Sequence, residues 1–454
     1  MTRTKAPQGV ATTGLGNRCR RVTSAWMKSL FSLPKKAVRV LRGHLRRLWV
    51  RVTVFGLLAV AVIPLSQLVE RILPEEWQSL IAGASVDRLL DIIAAAMLTV
   101  TTFSLTVMVS TNHATASQFT PRLQQLIRQD TVTQNTLATF IGSYVYALTA
   151  IVLREVSYIG DEKALVMFGV TVFMLALIVW SLIRWMQHLQ SLGSLISSAR
   201  QVEDKTALQF RQRLDTPCLG AVPLTEEVPE DGFVVIAPET GYVQMIHPEP
   251  LQTLAEELNC DIYLLAEIGD FVFLRSPLAK VCGASDLDED TRKRLSNALH
   301  SNIVIGDERT YDQDPRFGLM TMAQIGSKAL SPGINDPGTA IDVINRCGRI
   351  LSAYRDETEG DGEALHPRLH VRPLDAEVLI GDAFDSVARD GAAVREVQER
   401  LQKVLGGLMR HPDPELSEAA QSRADEYLER AKQALDWAQD RQRLERAAER
   451  REGG

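Results

Sequence analysis

The chain has 454 residues, 45% of them hydrophobic and 23% charged, with a formal net charge of -6. That length admits two or three domains, and the acid excess gives no support to nucleic acid as a partner. Five cysteines (Cys19, Cys218, Cys260, Cys282, Cys347) are odd in number and widely spaced, with no Cys-x-x-Cys pair, so neither a disulfide framework nor a zinc site is implied.

The averages hide a division. Four long apolar runs fall within the first 190 residues, and the remainder is polar and acid-rich. No Asp or Glu precedes Glu70, whereas about a dozen Lys and Arg do. Residues 1–47 therefore read as a basic arm suited to the cytoplasmic face and anionic headgroups. An organellar transit peptide is the lesser reading, and a secretory signal is disfavoured because the first apolar run starts after some fifty residues.

Residues 48–188 read as a four-span transmembrane domain. The spans are Val52–Val69 with Pro64, Leu89–Ser110, Leu137–Leu153 and Ala164–Ile183, each near the length that crosses the hydrocarbon core. The loop Glu70–Arg88 and the turn Arg154–Lys163 carry acids, while Arg122 and Arg128 make the intervening loop basic. This alternation is the one expected if both termini lie in the cytoplasm.

The second span carries the most distinctive pattern. Asp91, Ala95, Thr99, Thr102, Thr106, Ser110 and His113 recur every three or four residues and share an arc of roughly 100° on a helix. Lipid supplies such a face with no partners, so it is expected to pack on another helix or to line a water or ion path. Asp91, three residues after Arg88, is either an interfacial ion pair or a carboxylate at a pore mouth. Gln118, Arg122, Gln134 and Asn135 are expected at the cytoplasmic mouth, where they could also serve only to satisfy helix ends.

Residues 189–214 continue as a helical stalk with apolar positions Leu189, Leu192, Leu195 and Ile196. His188 on the stalk reads as an ordinary polar helix residue. The segment 215–284 holds short β-branched and aromatic runs between glycine turns, plus a helix over Pro248–Leu258. Its Gly-Tyr-Val and Gly-Asp-Phe-Val phrases suggest a small barrel-sandwich module without the modifiable Met-Lys-Met turn of the cofactor carriers. Residues 285–375 read as an α/β segment: a helix over Asp286–His300, a strand at Ile303–Gly306, a helix over Phe317–Leu330, and another ending near Tyr354. The fold class is thus a four-helix membrane domain followed by an α+β cytoplasmic domain.

Between the last two helices lies Ser331-Pro-Gly-Ile-Asn-Asp-Pro-Gly-Thr-Ala340. Pro332-Gly333 ends one helix, and Asp336 is placed to N-cap the next with Pro337 in its first position. The bland reading is a stiff elbow. The sharper one joins Ser331, Asn335 and Asp336 with Arg309, Asp312 and Asp314 into a site for a small cytoplasmic ligand, and the three aspartates could hold a hard divalent cation. Residues 376–454 read as C-terminal helices over Asp382–Leu408 and Leu416–Arg450, the latter with an Ala/Leu stripe for its own domain or for a subunit contact.

No phosphate loop, nucleophile elbow, zincin or dinucleotide motif occurs. The reading is therefore not an enzyme and needs no cofactor, with a metal-dependent hydrolase the remote alternative. Two segments carry a resemblance. They are Ala116-Ser-Gln-Phe-Thr-Pro-Arg122 with Asp130, Thr133-Gln134, Phe140-Ile-Gly142 and Tyr144, and Gly306, Arg309-Thr310, Gln313-Asp314, Phe317-Gly-Leu319 and Lys328 through Ala340. Together they resemble the predicted bacterial membrane proteins grouped as domain of unknown function 2254. The resemblance implies an integral inner-membrane protein with several N-terminal spans, and it implies no activity. This chain has Gly338 where a second Thr is common, and a longer basic arm. The expected function is a homo-oligomeric ion channel or channel-like transporter with a cytoplasmic gating domain. The alternative is a non-conducting membrane sensor or scaffold that binds a cytoplasmic ligand or partner.

Overall fold

The computed structural model describes residues 48–70, 83–116, 122, 131–156, 164–191, 195–283, 288–358 and 364–453. The chain forms two compact units. One holds the apolar helices as far as Ser110 together with 130–190, and the other takes Thr111–Gln129 and everything from Ser191 on.

The first unit consists of α1 (Leu48–Glu70), α2 (Gly83–Ala116, up to Ser110), α3 (Thr131–Glu155) and α4 (Ala164–Ser191). By length and composition, Ser85–Thr111, Val132–Glu155 and Leu165–Leu189 can cross a membrane. The described apolar stretch of α1, Val52–Leu65, is shorter. Small residues let α1 and α3 meet closely: Gly142 lies directly against the Phe55 side chain, and a Cβ on Gly56 would come 3.2 Å from Val145. Arg154 near the end of α3 grips Asp87 near the start of α2, with one bond of 3.0 Å. Thr133 at the start of α3 meets His188 near the end of α4 (3.2 Å), and the buried Tyr146 meets Thr171 (3.1 Å). Successive helices from α2 to α4 are therefore antiparallel.

The second unit begins with α5 (Leu195–Asp215) and then a β-rich part. Strands β1 (Ala221–Pro223), β2 (Phe233–Ile236), β3 (Gly241–Ile246), β4 (Asp261–Leu264), β5 (Phe271–Val272), β6 (Pro277–Cys282), β7 (Ile303–Gly306) and β8 (His366–Val371) form two sheets. Their orders are β1-β8-β4-β6-β2 and β5-β3-β7. Helices α6 (Pro248–Leu258) and α7 (Glu289–Asn302) accompany them. The barrel-sandwich expected over 215–284 is not what forms. Two strands from beyond that segment join, and β8 pairs in parallel with both β1 and β4. A small antiparallel sandwich cannot accommodate that insertion.

The helical part contains α8 (Pro315–Ala329), α9 (Pro337–Leu351), α10 (Ala376–Asp390), α11 (Arg395–Leu408), α12 (Pro414–Ala434) and α13 (Ala438–Gly453). It shares one core with α5, through residues such as Val202, Phe210, Phe317, Ile344, Phe384 and Leu401. Gly318 brings α8 directly onto Thr206 of α5. The single helix expected over Asp382–Leu408 is two, because the chain turns at Gly391, whose N–H caps onto Val387 O. The helix expected over Leu416–Arg450 likewise breaks after Ala434, where Leu435 becomes extended and tucks into a small cluster with Ala431 and Leu444.

Candidate functional site

The polar face of α2 looks outward from its own unit. Asp91, Ala95, Thr99, Thr102, Thr106 and Ser110 are all exposed. The helix packs instead through Val86, Leu90, Ile93, Met97 and Ser104, all buried. The stripe is therefore exposed rather than packed on the described residues of its own unit. Its hydroxyls are also less needy than their exposure suggests. Thr99 donates to Ala95 O (3.1 Å), Thr102 to Leu98 O (2.9 Å) and Thr106 to Thr102 O (3.0 Å). Each hydroxyl spends its proton on its own helix, so each oxygen faces outward with lone pairs only. On the opposite face, Thr101 and Ser104 have buried oxygens without hydrogen-bond partners. These two were not singled out by periodicity because they fall off the outward arc.

The four residues expected at one mouth divide between the units. Gln134 is half-buried and Asn135 exposed in the first turn of α3, within the first unit. Arg122 belongs to the second unit, Gln118 lies outside the described residues, and so does the side chain of His113.

In the second unit, Arg122 meets the segment before α8. Its guanidinium lies 5.6 Å over the Phe317 ring, and that of Arg309 lies 5.5 Å over the same ring. Tyr311 packs 4.7 Å from Phe317, and its hydroxyl lies 3.3 Å from both Arg122 O and Thr321 Oγ1. Lys205 of α5 caps the Tyr311 ring at 5.7 Å, and burial pushes the Tyr311 phenol up to about 12. Asp314 holds this corner. Its buried carboxylate N-caps α8 by accepting Phe317 N–H (2.9 Å) and also receives both Arg309 Nε (2.6 Å) and Nη2 (3.1 Å). Gly269, with φ +94°, sits so close to Arg309 and Asp314 that no side chain would fit. The two sequence segments that carry the family resemblance thus touch here, a contact no spacing in the sequence could reveal.

The elbow satisfies itself. Asp336 accepts Thr339 N–H (3.1 Å) and Thr339 Oγ1 (2.6 Å), which hold its carboxyl below the usual carboxylate range. Its own N–H donates to Ala329 O, Asn335 takes φ +51°, and Ser331 Oγ donates to Lys328 O (2.7 Å). The proposed constellation does not assemble. Asp314 caps the start of α8, and Asp336 follows its end, so the 15-residue helix separates them by about 22 Å. Asp312 pairs with Lys205 at 3.4 Å. Among the described residues no three His, Cys, Asp or Glu side chains are gathered to hold a metal.

Sequence reasoning missed the main buried ion pair. Glu357 receives Arg213 Nε (2.5 Å) and Nη2 (2.8 Å), Cys218 N–H (3.1 Å) and Leu374 N–H (2.8 Å). Burial and the Glu357 charge push the Cys218 thiol up to about 12, which leaves it a structural group.

A family profile described as "Predicted membrane protein (DUF2254)" matches residues 46–406. Uncharacterised proteins of Mycobacterium bovis and Mycobacterium tuberculosis are each 28% identical over 271 residues, covering 58% of this chain and 51% of theirs. The chain thus spans about half the length of the curated relatives it matches. No solved structure matches the chain.

Proposed function

Because the chain belongs to the family of predicted membrane proteins designated DUF2254, we propose that it is a homo-oligomeric inner-membrane channel whose path is lined by α2. In this reading α1 is a fourth crossing, both termini are cytoplasmic, and the second unit is the gate. The observation that carries it is the outward polar face from Asp91 to Ser110, set against the buried apolar face of the same helix. Four helices enclose no lumen of their own, so a path needs neighbouring copies. The threonine oxygens offer acceptors only, and Asp91 adds a carboxylate, so the permeant species of this proposal is a cation. Thr102→Leu and Thr106→Leu should each abolish cation flux through purified protein in liposomes while the oligomer stays intact. Full flux in the double variant sinks the pore.

A non-conducting sensor or scaffold is the second reading. The packing of Arg122 on Phe317 and Tyr311 favours it, since this contact within the second unit is made whether or not anything is conducted. It predicts no flux at all, together with a ligand-dependent rise in melting temperature that Asn335→Ala or Asp336→Ala removes.

A further inference from the structure

We propose that a cleft between α1, α3 and α4 binds one anionic phospholipid. The cleft encloses about 430 Å³, within the roughly 300–1,000 Å³ of ordinary ligand clefts. It lies wholly in the first unit, between two helices long and apolar enough to cross a membrane and α1, whose described apolar stretch is shorter. Val54 and Phe55 contribute an apolar wall, and Asn135, Thr139, Trp180 and Arg184 are among the residues that line the other sides. Phe55 is the side chain seated on Gly142, so the cleft opens beside the close crossing of α1 and α3.

The lining has a sign. Among the described residues no Asp or Glu lines it and Arg184 has no carboxylate partner; Arg184 is exposed, with its guanidinium 5.5 Å over Trp180. Trp180 and Arg184 are one helical turn apart on α4, the pairing of amphipathic ring and cation that sits at headgroup level. Asn135 and Thr139 are likewise one turn apart on α3, and Thr139 spends its proton on Asn135 O (3.0 Å). The exposed Asn135 amide is left as a neutral donor beside the Arg184 cation. A phosphate with an attached acyl chain matches a cation and an amide donor joined to an apolar wall. The chain's own residues 1–47 match poorly, since they carry twelve Lys and Arg and no acid.

The site is separate from the α2 face and needs only that these helices lie in a bilayer. The test is native mass spectrometry of the full chain in detergent, incubated with phosphatidylglycerol, phosphatidylcholine or glycerol 3-phosphate. One phosphatidylglycerol adduct per chain is expected, with little phosphatidylcholine and no glycerol 3-phosphate. Arg184→Gln should weaken retention about fivefold or more, the worth of one basic side chain toward an anionic lipid. Val54→Trp, at a position 54% exposed, should fill the cleft and remove the adduct without touching the core. Equal retention of the two lipids, binding of the soluble headgroup alone, or unchanged adducts in both variants would overturn the proposal. So would adducts that appear only after residues 1–47 are removed, which would make that arm the occupant.

Discussion

In the apolar helices, Thr99, Thr102 and Thr106 each donate to the carbonyl four residues back on the same helix. In the second unit, Glu357 collects its donors from Arg213, 144 residues away, from Cys218 and from Leu374. The first arrangement leaves a helix that can turn its hydroxyl face to lipid, to water or to another copy at little cost. The second fixes the end of α5, the turn before β1 and the approach to α10 to one another. A polar group satisfied locally leaves its helix free to serve an interface, whereas one satisfied at long range commits the fold.

Four substitutions separate these arrangements, and hydrogen exchange read unit by unit tells them apart. Glu357→Ala should be the most damaging. It leaves the Arg213 charge buried with only the Arg372 carbonyl, at about 3–5 kcal/mol, or on the order of 10 °C in melting temperature. Faster exchange should be confined to the second unit, and an unchanged melting temperature would refute the long-range half of the comparison. Gly142→Ile forces a side chain into Phe55, at about 1–3 kcal/mol. Here exchange should rise in α1 and α3, with the amides of α8 to α12 unaffected.

Asp336→Ala removes the cap of α9, at about 1 kcal/mol. Because the folded carboxyl titrates below its unfolded value, its contribution is complete above about pH 4 and is lost as pH falls through the folded pKa. The gap in melting temperature between wild type and variant should thus be constant from pH 5 to 8 and close in stronger acid. A gap that never narrows as the solution is made more acidic would mean the carboxylate is not the cap. Thr106→Val should be the mildest, within about 0.5 kcal/mol, since an exposed hydroxyl bonded to its own helix is traded for a methyl of similar shape. A larger loss of stability would show that the α2 face is packed rather than open.

What was legible in the sequence follows the same line. The apolar helices were readable because their signal is local: a run of residues, a three-to-four spacing, a Pro-Gly stop before Asp336. The cap itself is found where Asp336, Pro337 and Thr339 place it. The β-rich part was only half legible. His366-Pro-Arg-Leu-His-Val371 carries a proline, two histidines and an arginine, and shows its strand character only through buried Leu369 and Val371. Its place between β1 and β4 depends on partners more than a hundred residues upstream, beyond any local pattern. The candidate site divides similarly. The outward face of α2 was visible as a period. That Arg122 rests on Phe317, and that Asp314 and Asp336 lie at opposite ends of α8, is set by packing alone.

The position of β8 has a consequence for synthesis. β1 and β4 leave the ribosome long before the strand that belongs between them, and neither parallel ladder can close until β8 has emerged. By then the apolar helices have already been made, and so has Arg122, which follows α2 in the chain. The segment that will rest on Phe317 and Tyr311 therefore waits beside an unfinished nascent partner. Domains made in this order expose open strand edges while they wait. A translational pause or truncation between Leu264 and Leu369 would strand the chain with its anchor complete and its central sheet unpaired, the species that chaperones and proteases at the membrane would be expected to meet first.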